Sequence, residues 1–311
     1  MAPKLPYKNT RSCGFLTAQK KPCSKLACWG SVHPRLTACG THKKRLTQPV
    51  KLVEDPDTVT LRKQRREFHK ATVTLATQIN RRNGKRGRLT VGSLEMKKET
   101  PYKAGELNVF PNNYDRHRVG GVGVPELSPM ALGPVNDHGQ KDVPDPHTVE
   151  NAWQCGKLFP LDADKDGRPT PAFFQKRQAL YGDPRPYRHH PSARILPETG
   201  KREPCIAWVD QSAGTDNIRL LTYLGARHLY CKWFADRARE AEQFEWLEKQ
   251  LDEGVNICIR GYDGRPVVDL TAEYCNGDAP FGHELVLAAM LTMPPEEWPW
   301  TKQWPFTEQE V

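Results

Sequence analysis

Residues 150 to 157, Glu-Asn-Ala-Trp-Gln-Cys-Gly-Lys, place an acid, two amides, an aromatic ring and a cation within eight positions. In a helix, Glu150, Gln154 and Lys157 fall three or four positions apart on one face, within reach of a single ligand. Asn151 stands beside them, and Gly156 allows a neighbour to approach closely. Further polar residues follow at positions where packing alone does not require them. They are Arg185 in the run Asp183–His190, Tyr223 and Arg227 on one helical face, Asp263 in a turn, and His283 after Phe281 and Gly282. The helix opening at Gly282 has unpaired amides suited to a phosphate, which Arg227, Arg185 or Lys157 can complement. Such a crevice suits a phosphorylated nucleotide or an ADP-ribosyl group. An ordinary polar helix edge also carries Glu, Gln and Lys, so the octet needs support from its surroundings.

A second cluster lies near the start. Cys13, Cys23, Cys39 and His42 form the series C-x9-C-x15-C-x2-H. Three thiolates and an imidazole make a tetrahedral zinc site, structural because four protein ligands leave no position for water. Zinc there supplies folding energy to a segment too small for its own core. Cys28 or His33 can replace Cys13 or Cys23 in the set. The segment also resembles a short zinc-binding module, C-x-x-x-T-x-x-G-x-x-C followed by C-G-x-H, found at the ends of many viral and eukaryotic proteins. Cys13, Thr17, Cys23, Cys39, Gly40 and His42 match it, with Lys20 in the place of the glycine. The remaining cysteines have no metal spacing and read as buried small hydrophobes. A disulfide scaffold is not expected from nine cysteines so irregularly placed in 311 residues.

These residues must be positioned by elements that the rest of the sequence outlines. The net charge of +9 conceals a basic front and a mildly acidic body, since residues 1–100 hold 23 of the 46 Lys/Arg but 6 of the 37 Asp/Glu. That front suits an anionic partner, nucleic acid being the ordinary candidate through residues 1–100. Residues 58–83 read as one basic helix, with Leu61, Phe68, Val73, Leu75 and Ile79 as its apolar positions and an NGKRG stop. Residues 84–145, rich in Gly, Pro and Asn, read as an extended linker or an adornment of the core, with RLTVGSLEM the one strand-like run.

The body then offers helices over 148–158, 170–180, 218–234, 238–254 and 282–293, and strands at 204–210 and in NICIRG. The expected organisation is a zinc-binding module over 1–50, a basic helix and linker over 51–145, and an α+β body over 146–300, mostly helical with a small sheet or hairpin. No run reaches the length of a membrane span and the start lacks a secretory apolar stretch, so an intracellular protein is expected, in cytoplasm, nucleus, viral factory or virion.

The string ENAWQxxK resembles the signature of the NADAR family of YbiA-like N-glycosidases, α+β enzymes acting on N-glycosidic bonds of nucleotide-derived or ADP-ribosylated substrates. Phe281-Gly282-His283 leading into Leu285-Val286-Leu287 resembles that family's glycine-led closing helix, and the resemblance spans residues 148–293. It implies Glu150 as the carboxylate that stabilises an oxocarbenium-like state and assists water, with Asp263 as a second candidate. Gln154 then orients the ribose or base, and Lys157 holds a phosphate or the leaving group. The competing expectation is a nucleic-acid-associated or structural protein whose body only packs. An open cleft joining Glu150, Arg227, Asp263 and His283 favours the enzyme; a closed apolar body around Glu150 favours the packing module.

Overall fold

The computed structural model describes residues 29–30, 37–38, 50–51, 56–95, 99–112, 121–189, 195, 200 and 205–304. The chain divides into two compact units, Met1–His69 and Lys70–Val311. In the first, β1 (Trp29–Gly30), β2 (Thr37–Ala38) and β3 (Val50–Lys51) pair antiparallel in the order β2-β1-β3. The candidate zinc ligands Cys13, Cys23, Cys39 and His42, with Cys28 and His33, lie outside the described residues.

Helix α1 (Pro56–Arg82) begins in the first unit and ends in the second, close to the span that its periodicity predicts. Its stop is Gly84, whose φ of +60° is a conformation other residues adopt at a cost. The contact face of its second half differs from expectation. Leu75 and Ile79 are exposed, whereas Asn80 Nδ2 donates to the Gly254 carbonyl (2.8 Å) and Thr72 Oγ1 accepts from the Gly105 amide (3.2 Å). The helix docks on loop backbone through polar side chains, and a pattern of apolar positions cannot reveal such a face.

Residues 89–123, read from the sequence as an extended linker or an adornment of the core with one strand-like run, supply three of the four strands of the larger unit's main sheet, the first of them within that run. These are β4 (Leu89–Ser93), β5 (Leu107–Phe110) and β6 (Gly121–Gly123). The glycines that made this region look like a linker sit within the strands themselves: Gly92 faces Arg260 and Cys258, and a methyl on Gly121 would lie 2.1 Å from the Phe110 ring. After α2 (Val149–Gln154), β7 (Lys157–Leu158) and α3 (Pro171–Tyr181) come β8 (Ala207–Asp210) and β9 (Arg219–Leu221), which close a small antiparallel sheet with β7. Helices α4 (Tyr223–Ala238) and α5 (Glu242–Asp252) lead into β10 (Ile257–Gly261). The short α6 (Leu270–Tyr274) and then α7 (His283–Thr292) follow.

Strand β10 enters between β4 and β5, giving the order β4-β10-β5-β6 with every pair parallel. The result is a mostly helical domain with a small open sheet, as expected, but the sheet is parallel and not a hairpin. Parallel strands require long crossovers and are covered by helices, which explains why β10 is buried at all five positions. Helix α7 is apolar around most of its surface and is buried from Glu284 to Leu291. It packs on β4 and β10, while Trp153, Trp208 and Trp233 form a contiguous aromatic column beside it in the core. Phe244, Leu247 and Leu251 are the buried stripe of α5, as their spacing predicts. Among the described residues no helix is long and apolar enough to cross a membrane.

Candidate active site

In an open parallel sheet the loops after the strand ends are the usual binding place, because the strands and their helices diverge there. Here a cleft of about 1220 Å³ lies beyond those ends in the larger unit. Asn112 follows β5, the segment 125–131 follows β6, and Tyr262 and Asp263 follow β10. Helix α2, the first turn of α4 and the start of α7 complete the walls.

Helix α2 brings Glu150 to this cleft. Its N-cap is Thr148, whose side chain accepts from the Asn151 amide (3.1 Å). Glu150 and Gln154 then share a face, and Gln154 Nε2 donates to Glu150 Oε1 (3.1 Å). Arg188, 71% exposed, brings its Nε to 3.5 Å from the same oxygen, while Glu150 itself is nearly buried. Lys157 reaches the cleft by another route than the one predicted. The helix ends at Gln154, and Lys157 belongs to β7 with its Nζ 4.9 Å from the centre of the Trp153 ring. The reason is Gly156, where any Cβ would lie about 2.1 Å from the Trp208 indole; the chain turns there so that the ring can pack.

Of the nine body residues singled out from the sequence, seven line this cleft: Glu150, Gln154, Lys157, Tyr223, Arg227, Asp263 and His283. The other two do not. Asn151, one position round the helix from Glu150, faces inward and holds the 180–187 segment. Its Nδ2 donates to the carbonyls of Leu180, Asp183 and Arg185, and its Oδ1 accepts from the Tyr187 amide (2.7 Å). Arg185 is 85% exposed and paired with Asp183, whose carboxyl it draws down to about 2. Arg227 lines the cleft but its guanidinium is engaged by the carbonyls of Tyr274, Asn276 and Ala279, so it shapes the 274–279 loop.

The expected phosphate seat at the start of α7 is also corrected by the geometry. That helix start is flanked by carboxyls, not by free cations. A methyl on Gly282 would lie 2.9 Å from Glu284 Oε2 and 3.2 Å from Asp263 Oδ2, so the two groups border one point. Cations enter instead on the α2 side, through Lys157 and Arg188.

Electrostatics divide the cleft. His283, pushed down to about 4 by burial, is neutral near pH 7, although Asp263 and Glu150 act in the opposite sense. His189 is likewise lowered to about 4 by burial, and as a neutral ring it donates from Nε2 to the Gln154 carbonyl (2.7 Å). Burial raises the Tyr223 hydroxyl to about 12, keeping it a neutral donor beside Trp153, with ring centres 5.7 Å apart. Glu284 is raised to about 8, first by burial and then by Asp263. A neutral carboxylic acid therefore stands in the cleft at pH 7, opposite in state to an ordinary glutamate.

Glu284 and Tyr230 line the cleft without having been selected from the sequence, whereas Arg188 and His189 belong to the basic run Asp183–His190, from which the sequence singled out Arg185. The signal for Glu284 was present, an acid opening the otherwise apolar run ELVLAAML, but an acid in a first helical turn is usually there for the dipole. Among the described residues there is no group of three or more His, Cys, Asp or Glu side chains with the geometry to hold a metal ion. Comparison with family models, with curated proteins and with solved structures returned no match.

Proposed function

We propose that the larger unit hydrolyses an N-glycosidic bond in a nucleotide-derived or ADP-ribosylated substrate, as its resemblance to the NADAR family implies. The observation that carries this reading is the single open cleft that gathers Glu150, Gln154, Lys157, Tyr223, Asp263 and His283 from five separate segments. A packing module has no use for a buried carboxyl such as Glu150 at the wall of an open cleft, since its burial costs desolvation energy.

In the proposed reaction the ribosyl carbon becomes cationic as its bond to the base breaks. Glu150 is the carboxylate that stabilises that charge and takes a proton from the attacking water. Gln154, which is hydrogen-bonded to Glu150, orients the carboxylate and the sugar. The aromatic group of Trp153, Tyr223 and Tyr230, packed edge-on and tilted, offers an apolar wall for a base. Arg188 and Lys157 supply the positive charge for a phosphate. The basic front is proposed to hold nucleic acid, with one structural zinc held by Cys13, Cys23, Cys39 and His42, a reading that rests on sequence spacing.

The test is release of a ribosyl product, followed by mass spectrometry, from NAD, ADP-ribose conjugates and ADP-ribosylated DNA, with Glu150→Ala as the paired control. Release by the wild type and its loss in the variant support the assignment. A folded wild type that releases nothing from the panel removes the hydrolase reading in favour of a binding protein.

A further inference from the structure

Glu284 is only 1% exposed, yet it lines the cleft, and among the described residues neither of its carboxyl oxygens has a hydrogen-bond partner of good geometry. Buried carboxyls are normally satisfied, so an orphan aimed into a cleft points to a ligand or a proton. Two glycines make room for it. A methyl on Gly261 would lie 1.3 Å from Oε1, and one on Gly282 would crowd both Glu284 and Asp263. The groups facing Glu284 are mostly acidic or neutral. Asp263 comes from the loop after β10 and Tyr230 from α4, with Glu150 of α2 acting on Tyr230 and His283 in turn, while His283 Nδ1 lies 3.4 Å from Oε2 on the same helix. Arg265 acts on it weakly from further along the same loop, and Arg188 acts on the neighbouring His283.

The geometry points to Glu284, with Asp263 beside it, as the acid that delivers a proton to the departing base, which makes the substrate a neutral N-nucleoside and not a nicotinamide dinucleotide. This rests on the glycosidase reading. The chemistry balances as follows. The C1′–N bond breaks and its electron pair goes to the base, which takes the proton of Glu284. Water bonds to C1′ through its oxygen and gives a proton to Glu150. One water is consumed, one base N–H and one anomeric hydroxyl are formed, and solvent returns the proton from Glu150 to Glu284. A neutral purine or pyrimidine leaves as an anion unless protonated, so it needs this proton. Nicotinamide is already a cation in its dinucleotide, leaves neutral and needs none. Burial disfavours ionisation of Glu284, and the negative charge of Asp263 adds to that resistance.

The experiment compares the wild type with Glu284→Gln and Asp263→Asn on adenosine, guanosine, cytidine and uridine 5′-monophosphates and on NAD. In parallel, the infrared band of the protonated carboxyl is titrated without any ligand. The expected result is base release from a monophosphate, cut by about 100-fold or more in Glu284→Gln, as loss of a general acid does. Hydrolysis of NAD is slower than that of a monophosphate in the wild type and falls by a smaller factor in the variant. The band persists at neutral pH in the wild type, disappears in Glu284→Gln, and in Asp263→Asn is lost at lower pH. Equal losses on both substrate types, or a preference for NAD, overturn the leaving-group assignment. Silence on every one of these probes overturns the proton delivery to a nucleotide base, while the glycosidase reading stands or falls with the ADP-ribosylated substrates. A wild type with no protonated band at neutral pH overturns the neutral acid whatever the activity shows.

Discussion

Glu284→Gln should change how the stability of the protein depends on pH. The folded state holds this carboxyl at about 8 against an ordinary value of 4.5, so between those limits the native protein keeps a proton that the unfolded chain releases. The group's folded pKa is raised, so its contribution is full below 4.5 and is lost as pH rises toward 8. Each pH unit in that window removes about 1.4 kcal/mol. The buried histidines act on the other side. His283 and His189 are lowered to about 4 from 6.5, and burial lowers His138 and His228 as well, so these groups diminish stability as pH falls through 6.5 in wild type and variant alike. The difference between the two proteins therefore isolates Glu284, and it should change by about 1.5 kcal/mol from pH 6.5 to 8. Glutamine copies the shape of the neutral acid and does not titrate, so the variant should lack the fall that Glu284 imposes. Urea unfolding at a series of pH values measures both curves. Parallel curves for the two proteins would refute the protonated carboxyl.

Gly261→Ala places a methyl against the Glu284 carboxyl, so it should cost about 1–3 kcal/mol by overpacking and abolish the alkaline slope. Urea unfolding of that variant reads both effects. Asn151→Ala strips the 180–187 segment of its polar anchor and leaves buried backbone groups without partners, at a cost of about 3 kcal/mol. Its mark is faster proteolytic cleavage near Tyr187, with the stability loss seen in the same unfolding assay. Metal analysis of the full chain should find one zinc, lost in Cys39→Ser; a metal-free wild type refutes the ligand set taken from the sequence.

The sequence disclosed the elements with local signals and concealed those settled by distant partners. The stripe Phe244, Leu247 and Leu251 and the stop at Gly254 were enough to find α5, because helix amphipathicity is a local property. The parallel sheet was hidden. Its central strand β10 comes last in sequence, and its neighbours β4 and β5 carry glycine, Asn108 and few consecutive apolar residues. Pairing across such a separation leaves no mark in a short window.

For the site, Glu150 and Gln154 were legible because one helical turn brings them together. Asn151 was misread as a ligand group, since its neighbour in sequence points into the cleft while it points away. Arg227 was correctly found near the cleft, yet its task there is to hold a loop, which only the three carbonyls around it disclose. Glu284 shows the opposite failure. Its identity as an acid was plain, but its unusual state depends on burial and on Asp263 from a different element.

The central claim is that water attacks a ribosyl carbon in the cleft under the control of Glu150. Hydrolysis in water enriched in oxygen-18 tests this most directly, with the label located by mass spectrometry of the products. The account predicts that the heavy oxygen appears in the ribosyl product, is absent from the base, and that the reaction ceases in Glu150→Gln while the fold is retained. An unlabelled ribosyl product, or undiminished turnover in Glu150→Gln, would contradict it.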